Sequence, residues 1–451
     1  MRRLMKQLVR DFEPFMFVMV MASGISSNLL YDFAFPSHWM RVCSYIMFGI
    51  ACAIFIVLQI YVFVHAYYSI KKDSFKVYFK RYYAGVTYGP FWGAYPMGLA
   101  TIINYISFLA NNEAAGTGNA KRLIVLAYAL WWYDQLISLL TAWGVSFLIW
   151  QKYDFDKNDI SPHVTPNQKS AAETLKSVLL LGVIPLVVAS SSLGGFTMSP
   201  IFIKYFGRHI QLLNIFVCAL SLFHALIFVF FIITIYIWSL YVNKIPPMGQ
   251  VFSMFLILGP LGQGSYSFLL IGENVEKYTH LYYRPGHPYY NELLVEIIPW
   301  CFKIIFLLLV LALVSLGYFF TFLCFISILS YSKTKDATGP KVKRIYTFHK
   351  GWLGMTFPMG TMSLANKEIY VIYNNYVPVK TFRYIGAIYG GVCICWTIIC
   401  LTLTLLQSII KPVYFRYSKW KETEENTSTE KSLESSNDIQ ESCQDDFTRL
   451  V

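Results

Sequence analysis

Four prolines stand inside apolar stretches of this chain, and a hydroxyl side chain follows each of them at the same distance. The pairs, five residues apart, are Pro96–Thr101, Pro185–Ser190, Pro260–Ser265 and Pro358–Ser363. A proline in a membrane helix removes a backbone hydrogen bond, and this is tolerated where protein or a water-filled cavity takes up the freed groups. Freed backbone N–H groups and hydroxyls can bind an anion without a full charge that traps it. We therefore predict helix breaks at the four prolines and a pore lined by the four hydroxyls.

Two of these sites have closely matching surroundings, which predicts an internal repeat. Tyr95-Pro96-Met97-Gly98 corresponds to Phe357-Pro358-Met359-Gly360. Val20-Met21-Ala22 leading to Asn28 corresponds to Pro96-Met97-Gly98 leading to Asn104, although the first stretch lacks the proline. The match adds Tyr95, Gly98 and Gly360 to the predicted pore lining. Close helix packing is the alternative explanation, because small residues commonly serve that purpose in membranes.

Three ionisable residues fall within apolar stretches: Asp134, Lys303 and His224. Asp134 and Lys303 lie at comparable depth, and a charge within the membrane needs a partner, so we predict an intramembrane pair between them. A role in ion coupling, or a Lys303 side chain that extends outward past Glu296, remains the alternative. His224 is interpreted as a hydrogen-bonded packing residue.

The composition predicts a membrane protein that crosses the bilayer many times. Of 451 residues, 56% are hydrophobic and only 14% are charged, far fewer than in soluble domains. The net charge of +12 resides in short loops between apolar runs, so we expect no nucleic-acid partner. The nine cysteines lack zinc-ligand spacing, and Gly259–Ser265 lacks the lysine of a phosphate-binding loop. We therefore expect neither a metal nor another cofactor, and a protein that is not an enzyme.

Ten apolar stretches predict an all-α protein with ten transmembrane helices. They span residues 15–30, 43–66, 91–109, 123–150, 178–198, 212–240, 251–271, 297–329, 352–365 and 385–406. Odd-numbered stretches are rich in Pro, Gly, Ser and Met, whereas even-numbered ones are nearly continuous Leu, Ile, Phe and Val. The pattern favours five helical hairpins, with odd helices around a central pore and even helices against lipid.

The distribution of basic residues predicts the orientation. With ten spans both termini share a side, and that side carries 26 Lys and Arg against 10 on the other, Lys303 lying within a span. The excess places both termini in the cytoplasm. Residues 1–14 then form a cytoplasmic N-terminus and 15–406 the ten-helix domain. Residues 407–451, acidic and rich in Ser and Thr, form a disordered cytoplasmic tail.

Several longer stretches resemble one known family. They include Asp-Phe-Glu-Pro at 11–14, Leu-Trp-Trp-Tyr-Asp at 130–134, Lys-Ile-Pro-Pro-Met at 244–248 and Tyr-Thr-Phe-His-Lys-Gly at 346–351. Through them residues 12–406 resemble the tellurite-resistance/dicarboxylate transporter family, above all its fungal sulfite-efflux branch. The resemblance implies five hairpins around a central pore, a homotrimer in the lipid bilayer of the plasma membrane, and export of sulfite or bisulfite.

The resemblance also implies a pore gate. In the family's bacterial member and plant slow anion channels, a phenylalanine of the ninth helix plugs the pore, and Phe357 matches that position. Sequence alone leaves packing against a neighbouring helix as an equal alternative for Phe357. The resemblance favours the gate, where a bulky apolar ring blocks ions by excluding water.

Two other functions stay open at the sequence level. A malate or dicarboxylate permease of the same family would accept a longer dianion, for which fixed cations in the pore would be suitable. The cores of the odd-numbered stretches carry no Arg or Lys, which favours a small anion. A membrane receptor or scaffold is the third hypothesis, and the pore-like odd-numbered stretches argue against it.

Overall fold

A computed structural model describes residues 12–85, 88–149, 151, 177–246, 248–333 and 348–407, and this part of the chain is helical throughout, without β-strands. Contacts between Cα atoms divide the chain into two units, Met1–Thr397 and Ile398–Val451, and every contact given below lies within the first. Apart from Gln407, the predicted tail falls outside the described residues, as do residues 1–11 of the predicted N-terminus. The α-helices are α1 (Val18–Tyr31), α2 (His38–Asp73), α3 (Phe75–Tyr82), α4 (Ala94–Phe108), α5 (Gly118–Leu139), α6 (Leu180–Thr197), α7 (Pro200–Tyr205), α8 (Arg208–Asn243), α9 (Leu258–Tyr282), α10 (Glu292–Lys333), α11 (Thr356–Tyr373) and α12 (Lys380–Leu405).

Eight helices among the described residues are long and apolar enough to cross a membrane. They span Pro14–Tyr31, His38–Lys72, Gly118–Ile149, Leu180–Thr197, Arg208–Val242, Gln250–Tyr282, Glu292–Ser330 and Lys380–Leu405. The other two predicted stretches are also helical, but α4 has only 15 residues and α11, with 18, contains Lys367 and Glu368. An all-α membrane protein is therefore confirmed, whereas the count of ten spans stays a prediction.

Five helices, which we call the core helices, contact one another in a closed order. Helix α1 packs on α4, α4 on α6, α6 on α9, α9 on α11, and α11 again on α1. A second set, the backing helices, packs on these from outside: α2 on α1, α5 on α4, α8 on α6 and α10 on α9. Helix α12 is the fifth backing helix and contacts α11, where the Ser363 hydroxyl donates to the Gly386 carbonyl at 2.6 Å.

Burial separates the two sets in the way their composition predicts. The most apolar windows of Leu180–Thr197 and Gln250–Tyr282 are 94% and 89% buried, whereas that of His38–Lys72 is 17% buried. Side chains that point away from protein in a membrane helix meet lipid, so the leucine-rich and phenylalanine-rich faces of the backing helices are stable there. The small and polar residues are concentrated where helices meet helices.

A 3₁₀ segment precedes four of the core helices. Three of these four helices contain a proline at which the sequence predicts a break. The segments Pro14–Phe17, Gly89–Gly93, Met248–Ile257 and Lys350–Met355 precede α1, α4, α9 and α11. Pro96, Pro260 and Pro358 are each the third residue of the α-helix that follows. A proline costs little there, because the first turn of a helix lacks intrahelical acceptors for its N–H groups. Pro185 differs, since it lies inside α6.

The 3₁₀ segments leave fewer free N–H groups than the predicted breaks require. The amides of Met16, Phe91 and Trp352 each donate to the carbonyl three residues earlier, at 2.9, 3.2 and 3.1 Å. The backbone therefore changes from 3₁₀ to α geometry with hydrogen bonds on both sides of the junction. Backbone donors at these three positions are therefore not available to an anion.

Candidate anion pathway

A cavity of about 250 Å³ lies at the N-terminal ends of all five core helices. Its wall includes Phe15 and Met21, Phe91 and Met97, Leu181 and Ile184, Phe252 and Gly259, and Leu353 and Phe357, one pair from each core helix with its preceding segment. Because every core helix contributes its N-terminal end, the five helices run in the same direction away from the cavity.

Phe357 stands on the wall of this cavity, beside Pro358. Its side chain is 3% exposed. Phe15 and Phe91 lie on the same wall, with ring centroids 5.3 Å apart and edge to face. An apolar wall of this kind blocks ions when it is narrow, because water leaves it. The position of Phe357 agrees with the gate that the family resemblance implies, and the gate stays a prediction.

Polar groups at the cavity are few. Gln250 and Ser253 are the lining residues with polar side chains, and both belong to the 3₁₀ segment before α9. Nearby, the His349 ring packs 5.7 Å from that of Phe252, and burial lowers the pKa of His349, so its imidazole is neutral near pH 7. An anion in the cavity therefore meets no fixed positive charge on the wall.

None of the four predicted pore hydroxyls lies on the wall of this cavity, so their place in the pore stays a prediction. Each donates to a backbone carbonyl: Thr101 to Gly98 at 2.6 Å, Ser190 to Cys218 at 2.8 Å, Ser265 to Leu261 at 2.7 Å and Ser363 to Gly386 at 2.6 Å. The reason is helical geometry. Five residues rotate an α-helix by about 140° beyond a full turn, so Ser363, five positions after the cavity-lining Pro358, faces α12 instead.

Tyr95, Gly98 and Gly360 also belong to helix contacts rather than to the cavity wall. The Tyr95 ring packs on Phe17 at 5.0 Å, and its hydroxyl lies 3.0 Å from that of Tyr133. A Cβ atom on Gly98 would lie 3.1 Å from Val20, and one on Gly360 would lie 2.5 Å from Ile25. Both glycines allow α1 to approach its neighbours closely, which is the packing alternative.

The predicted pair of Asp134 and Lys303 is wrong. Lys303 on α10 forms an ion pair with Glu276 of α9, with Nζ and Oε1 2.6 Å apart. Asp134 on α5 is fully buried, and neither carboxylate oxygen has a hydrogen-bond partner among the described residues. Its helix packs on α4 and α6, whereas α10 packs on α9, so equal depth did not bring the two side chains together.

His224 takes the role expected from the sequence. Its ring accepts a hydrogen bond from the Trp143 indole N–H at 2.8 Å, and the two rings pack edge to face at 5.7 Å. Cysteines such as Cys218 and Cys324 are buried among packed helices. Within the described residues, no group of three or more His, Cys, Asp or Glu side chains could hold a metal ion.

Sequence reasoning missed a set of polar contacts between neighbouring core helices. The Ser192 hydroxyl donates to the Asn104 Oδ1 at 2.6 Å, which joins α6 to α4. The Gln263 amide donates to the Ser191 hydroxyl, which joins α9 to α6. A signal for Asn104 was present in the sequence, because it follows Met97 at a spacing of seven residues, two helical turns on the same face.

Comparison with known proteins gives consistent matches over nearly the whole chain. Residues 11–405 match the family model SLAC1, described as a voltage-dependent anion channel. The chain is 50% identical to the sulfite efflux pump SSU1 of Saccharomyces cerevisiae, over 98% of each protein. It is 32% identical to the sulfite efflux pump SSU1 of Candida albicans, over 91% of this chain and 77% of that protein.

Proposed function

Since the chain belongs to the SLAC1 family of voltage-dependent anion channels, we propose that it exports sulfite or bisulfite across the plasma membrane. The observation that carries the proposal is the apolar cavity at which the five core helices converge, in a chain 50% identical over 98% of its length to a named sulfite efflux pump. The activity is transport rather than catalysis, and the proposal involves no cofactor.

The membrane potential supplies a sufficient driving force for this export. With the cell interior negative, moving one anion outward gains about 2.3 kcal/mol per 100 mV, or roughly fifty-fold in the equilibrium ratio. A gated passive path is therefore enough. The absence of fixed cations on the described cavity wall suits a small anion that must leave again, and it disfavours a malate carrier.

The core and backing helices pair as five hairpins around the pore in this proposal. The pairs are α1–α2, α4–α5, α6–α8, α9–α10 and α11–α12, which are also the contacts observed between core and backing helices. The positive-inside rule then directs the cavity and both termini toward the cytoplasm, with Phe357 as the gate between the cavity and the remainder of the pore.

Contacts that we call hairpin clasps support the five-hairpin arrangement. Each backing helix carries one Lys or Arg that contacts the next hairpin. The contact is either with the core helix of that hairpin or with the segment that directly follows this core helix. Arg41 lies 3.7 Å from Glu113, Lys121 lies 5.7 Å over the Tyr205 ring, Arg208 lies 3.0 Å from the Tyr278 hydroxyl, Lys303 lies 5.1 Å over the Tyr376 ring, and Arg383 donates to the Ala34 carbonyl at 2.8 Å. The fifth clasp returns to the first hairpin, so the order of contacts is cyclic.

The experiment that tests the substrate is efflux from proteoliposomes loaded in parallel with labelled sulfite, malate and chloride. We expect sulfite to leave much faster than malate, because the cavity is small and uncharged. Malate efflux at the sulfite rate or above it would establish the dicarboxylate permease instead. A purified protein that moves none of the three anions would favour the receptor or scaffold hypothesis.

A further inference from the structure

The short helix α3 lies beside the end of the second predicted membrane stretch, residues 43–66. The chain turns sharply at Ser74, whose φ of 77° is in the left-handed region, and α3 then folds back against α2. The rings of Tyr78 and Tyr82 lie 5.7 and 4.8 Å from that of His65 on α2. Because His65 is next to the last residue of the stretch, α3 lies at the level where this predicted span leaves the membrane.

Helix α3 presents an apolar face and a basic face to its surroundings. Phe75 and Phe79, one helical turn apart, expose 63% and 36% of their surface. Lys76 and Lys80 form the adjacent face, and both are exposed. The sequence from 71 to 81 contains five Lys and Arg and a single acidic residue. Exposed aromatic rings beside clustered cations are typical of a helix that lies in the surface of a membrane with anionic lipids.

The boundary between lipid headgroups and acyl chains suits both faces at once. Water would leave the two exposed phenylalanine rings hydrated, and hydrocarbon would deprive the lysines of water and of counterions. At the boundary the rings enter the apolar layer, while the lysine ammonium groups extend to the headgroups. The positive-inside rule directs this end of the helices toward the cytoplasm, and the cytoplasmic leaflet carries the anionic lipids that attract such cations.

A row of stacked rings, which we call the ring row, connects the apolar face of α3 to the cavity wall. The Phe75 and Phe79 rings stack at 6.0 Å, and those of Phe79 and Tyr83 at 5.3 Å. Tyr83 in turn stacks on Trp92 at 5.0 Å, and the Trp92 indole N–H donates to the carbonyl of the last residue of α3 at 3.0 Å. Trp92 directly follows Phe91, which lies on the cavity wall. The position of α3 therefore bears directly on the entrance to α4.

We propose that α3 binds anionic lipids of the cytoplasmic leaflet, with Lys76 and Lys80 at the headgroups and Phe75 and Phe79 at the edge of the acyl chains. Bound lipid holds α3 against Trp92, and through the ring row it fixes one part of the cavity wall. Transport thereby depends on the charge of the surrounding lipid. The inference rests on the proposed function for the orientation of the helices and for the transport it regulates, whereas lipid binding itself requires no transport.

Binding is tested by titrating phosphatidylserine into the full-length protein in detergent, with phosphatidylcholine as the uncharged reference, while the Tm is measured. Phosphatidylserine should raise the Tm, because it binds the folded protein. Lys76→Gln with Lys80→Gln should raise the half-saturating phosphatidylserine about 25-fold, since each cation near an anionic surface corresponds to about a fivefold change in affinity. Arg122→Gln with Arg284→Gln is the matched control, because it removes the same charge at exposed positions in α5 and after α9, and it should keep the parent value.

Two further measurements separate a lipid from other occupants of this surface. Glycerophosphoserine carries the headgroup without acyl chains, so it should leave the Tm unchanged. An equal rise with this soluble compound, or equal half-saturation in the parent and the lysine variant, would overturn the lipid surface. Phe75→Ser should keep the oligomeric state of the parent, and a smaller oligomer in this variant would assign the face to contacts between copies instead.

Sulfite efflux from proteoliposomes tests the connection to the cavity. The ratio of parent efflux to that of the lysine variant should rise with phosphatidylserine, and this ratio cancels the repulsion of sulfite by the charged surface. Phe79→Leu keeps an apolar side chain but interrupts the ring row, so it should bind phosphatidylserine like the parent and lose the dependence of efflux on it. A constant ratio in the parent would overturn the connection. A parent that binds phosphatidylserine but moves no sulfite contradicts the proposed function and leaves the lipid surface confirmed.

Discussion

Phe357 combines two properties that a gate residue needs. It stands on the cavity wall, and its ring is nearly inaccessible to solvent at 3% exposure. A passage closed by an apolar ring needs no charged group, because a narrow apolar constriction loses its water.

Phe357→Ala should raise the resting anion leak, since truncation of the ring leaves room for water at the wall of the cavity. Efflux from liposomes or patch-clamp current measures the change. Phe268→Ala is the control, because Phe268 lies on a core helix but packs on the Phe306 ring at 5.1 Å, away from the cavity. Both variants lose packing, which costs about 3–5 kcal/mol in soluble cores. Equal leak in the parent and both variants would make Phe357 a packing residue.

Asp134 and Lys303 should respond differently to neutral substitutions. Asp134→Asn keeps the shape and removes a buried carboxylate without a partner, so we expect an unchanged or higher Tm in detergent. Lys303→Met leaves Glu276 unpaired and should lower the Tm. Thermal unfolding of both single variants and of Glu276→Gln with Lys303→Met decides the point, because the double variant should lose less than the sum of its parts. A large loss in Asp134→Asn would reveal a partner.

At the scale of helices, the sequence predicts the elements better than their orientations. Apolar stretches and the contrast between odd and even stretches identified the helices and the buried set, since both follow from the need to satisfy lipid or protein neighbours. The rotation of α11 was misjudged. Pro358 faces the cavity, but Ser363 is rotated by about 140° toward α12. A spacing of seven, as from Met97 to Asn104, follows one face.

Sequence reasoning also could not predict which side chains on distant helices form pairs. Asp134 and Lys303 have comparable depth, yet depth along the membrane normal says nothing about position around it. The true partner of Lys303, Glu276, lies on the adjacent core helix α9. The hairpin clasps show the same limitation, because Arg383 and Ala34 are separated by almost the whole helical region and meet only after the circuit of contacts closes.

The hairpin clasp between α12 and the segment that joins α1 to α2 should contribute more to thermal stability than an exposed arginine does. Arg383 donates to the Ala34 carbonyl at 2.8 Å, and its guanidinium lies 4.2 Å over the Phe35 ring. Arg383→Gln should lower the Tm in detergent by several degrees, because it removes the contact between the last and the first hairpin. Arg284→Gln, at an exposed arginine in the loop after α9, should leave the Tm unchanged. Equal stability of both variants would show that the circuit closes without this clasp.

At the scale of the whole molecule, the core helices of one chain contact one another in a closed order, so the proposed pore lies within one chain and a homotrimer would contain three separate pores. The backing helices present large apolar side chains, including Leu220, Ile227 and Leu308, that suit lipid or contacts between copies. Transport by each copy independently follows from this arrangement. In the proposed function, this transport requires only a potential across the membrane and an open gate at Phe357.

The most direct measurement is efflux of labelled sulfite from proteoliposomes with an imposed potassium diffusion potential and without ATP. We expect efflux to accelerate as the interior becomes more negative, and its final ratio to approach roughly fifty-fold per 100 mV for a singly charged anion. Phe357→Ala liposomes should show the same voltage dependence at a higher rate. Sulfite efflux indistinguishable from that of protein-free liposomes at every potential, in the parent and in Phe357→Ala alike, would contradict passive sulfite export through this pore.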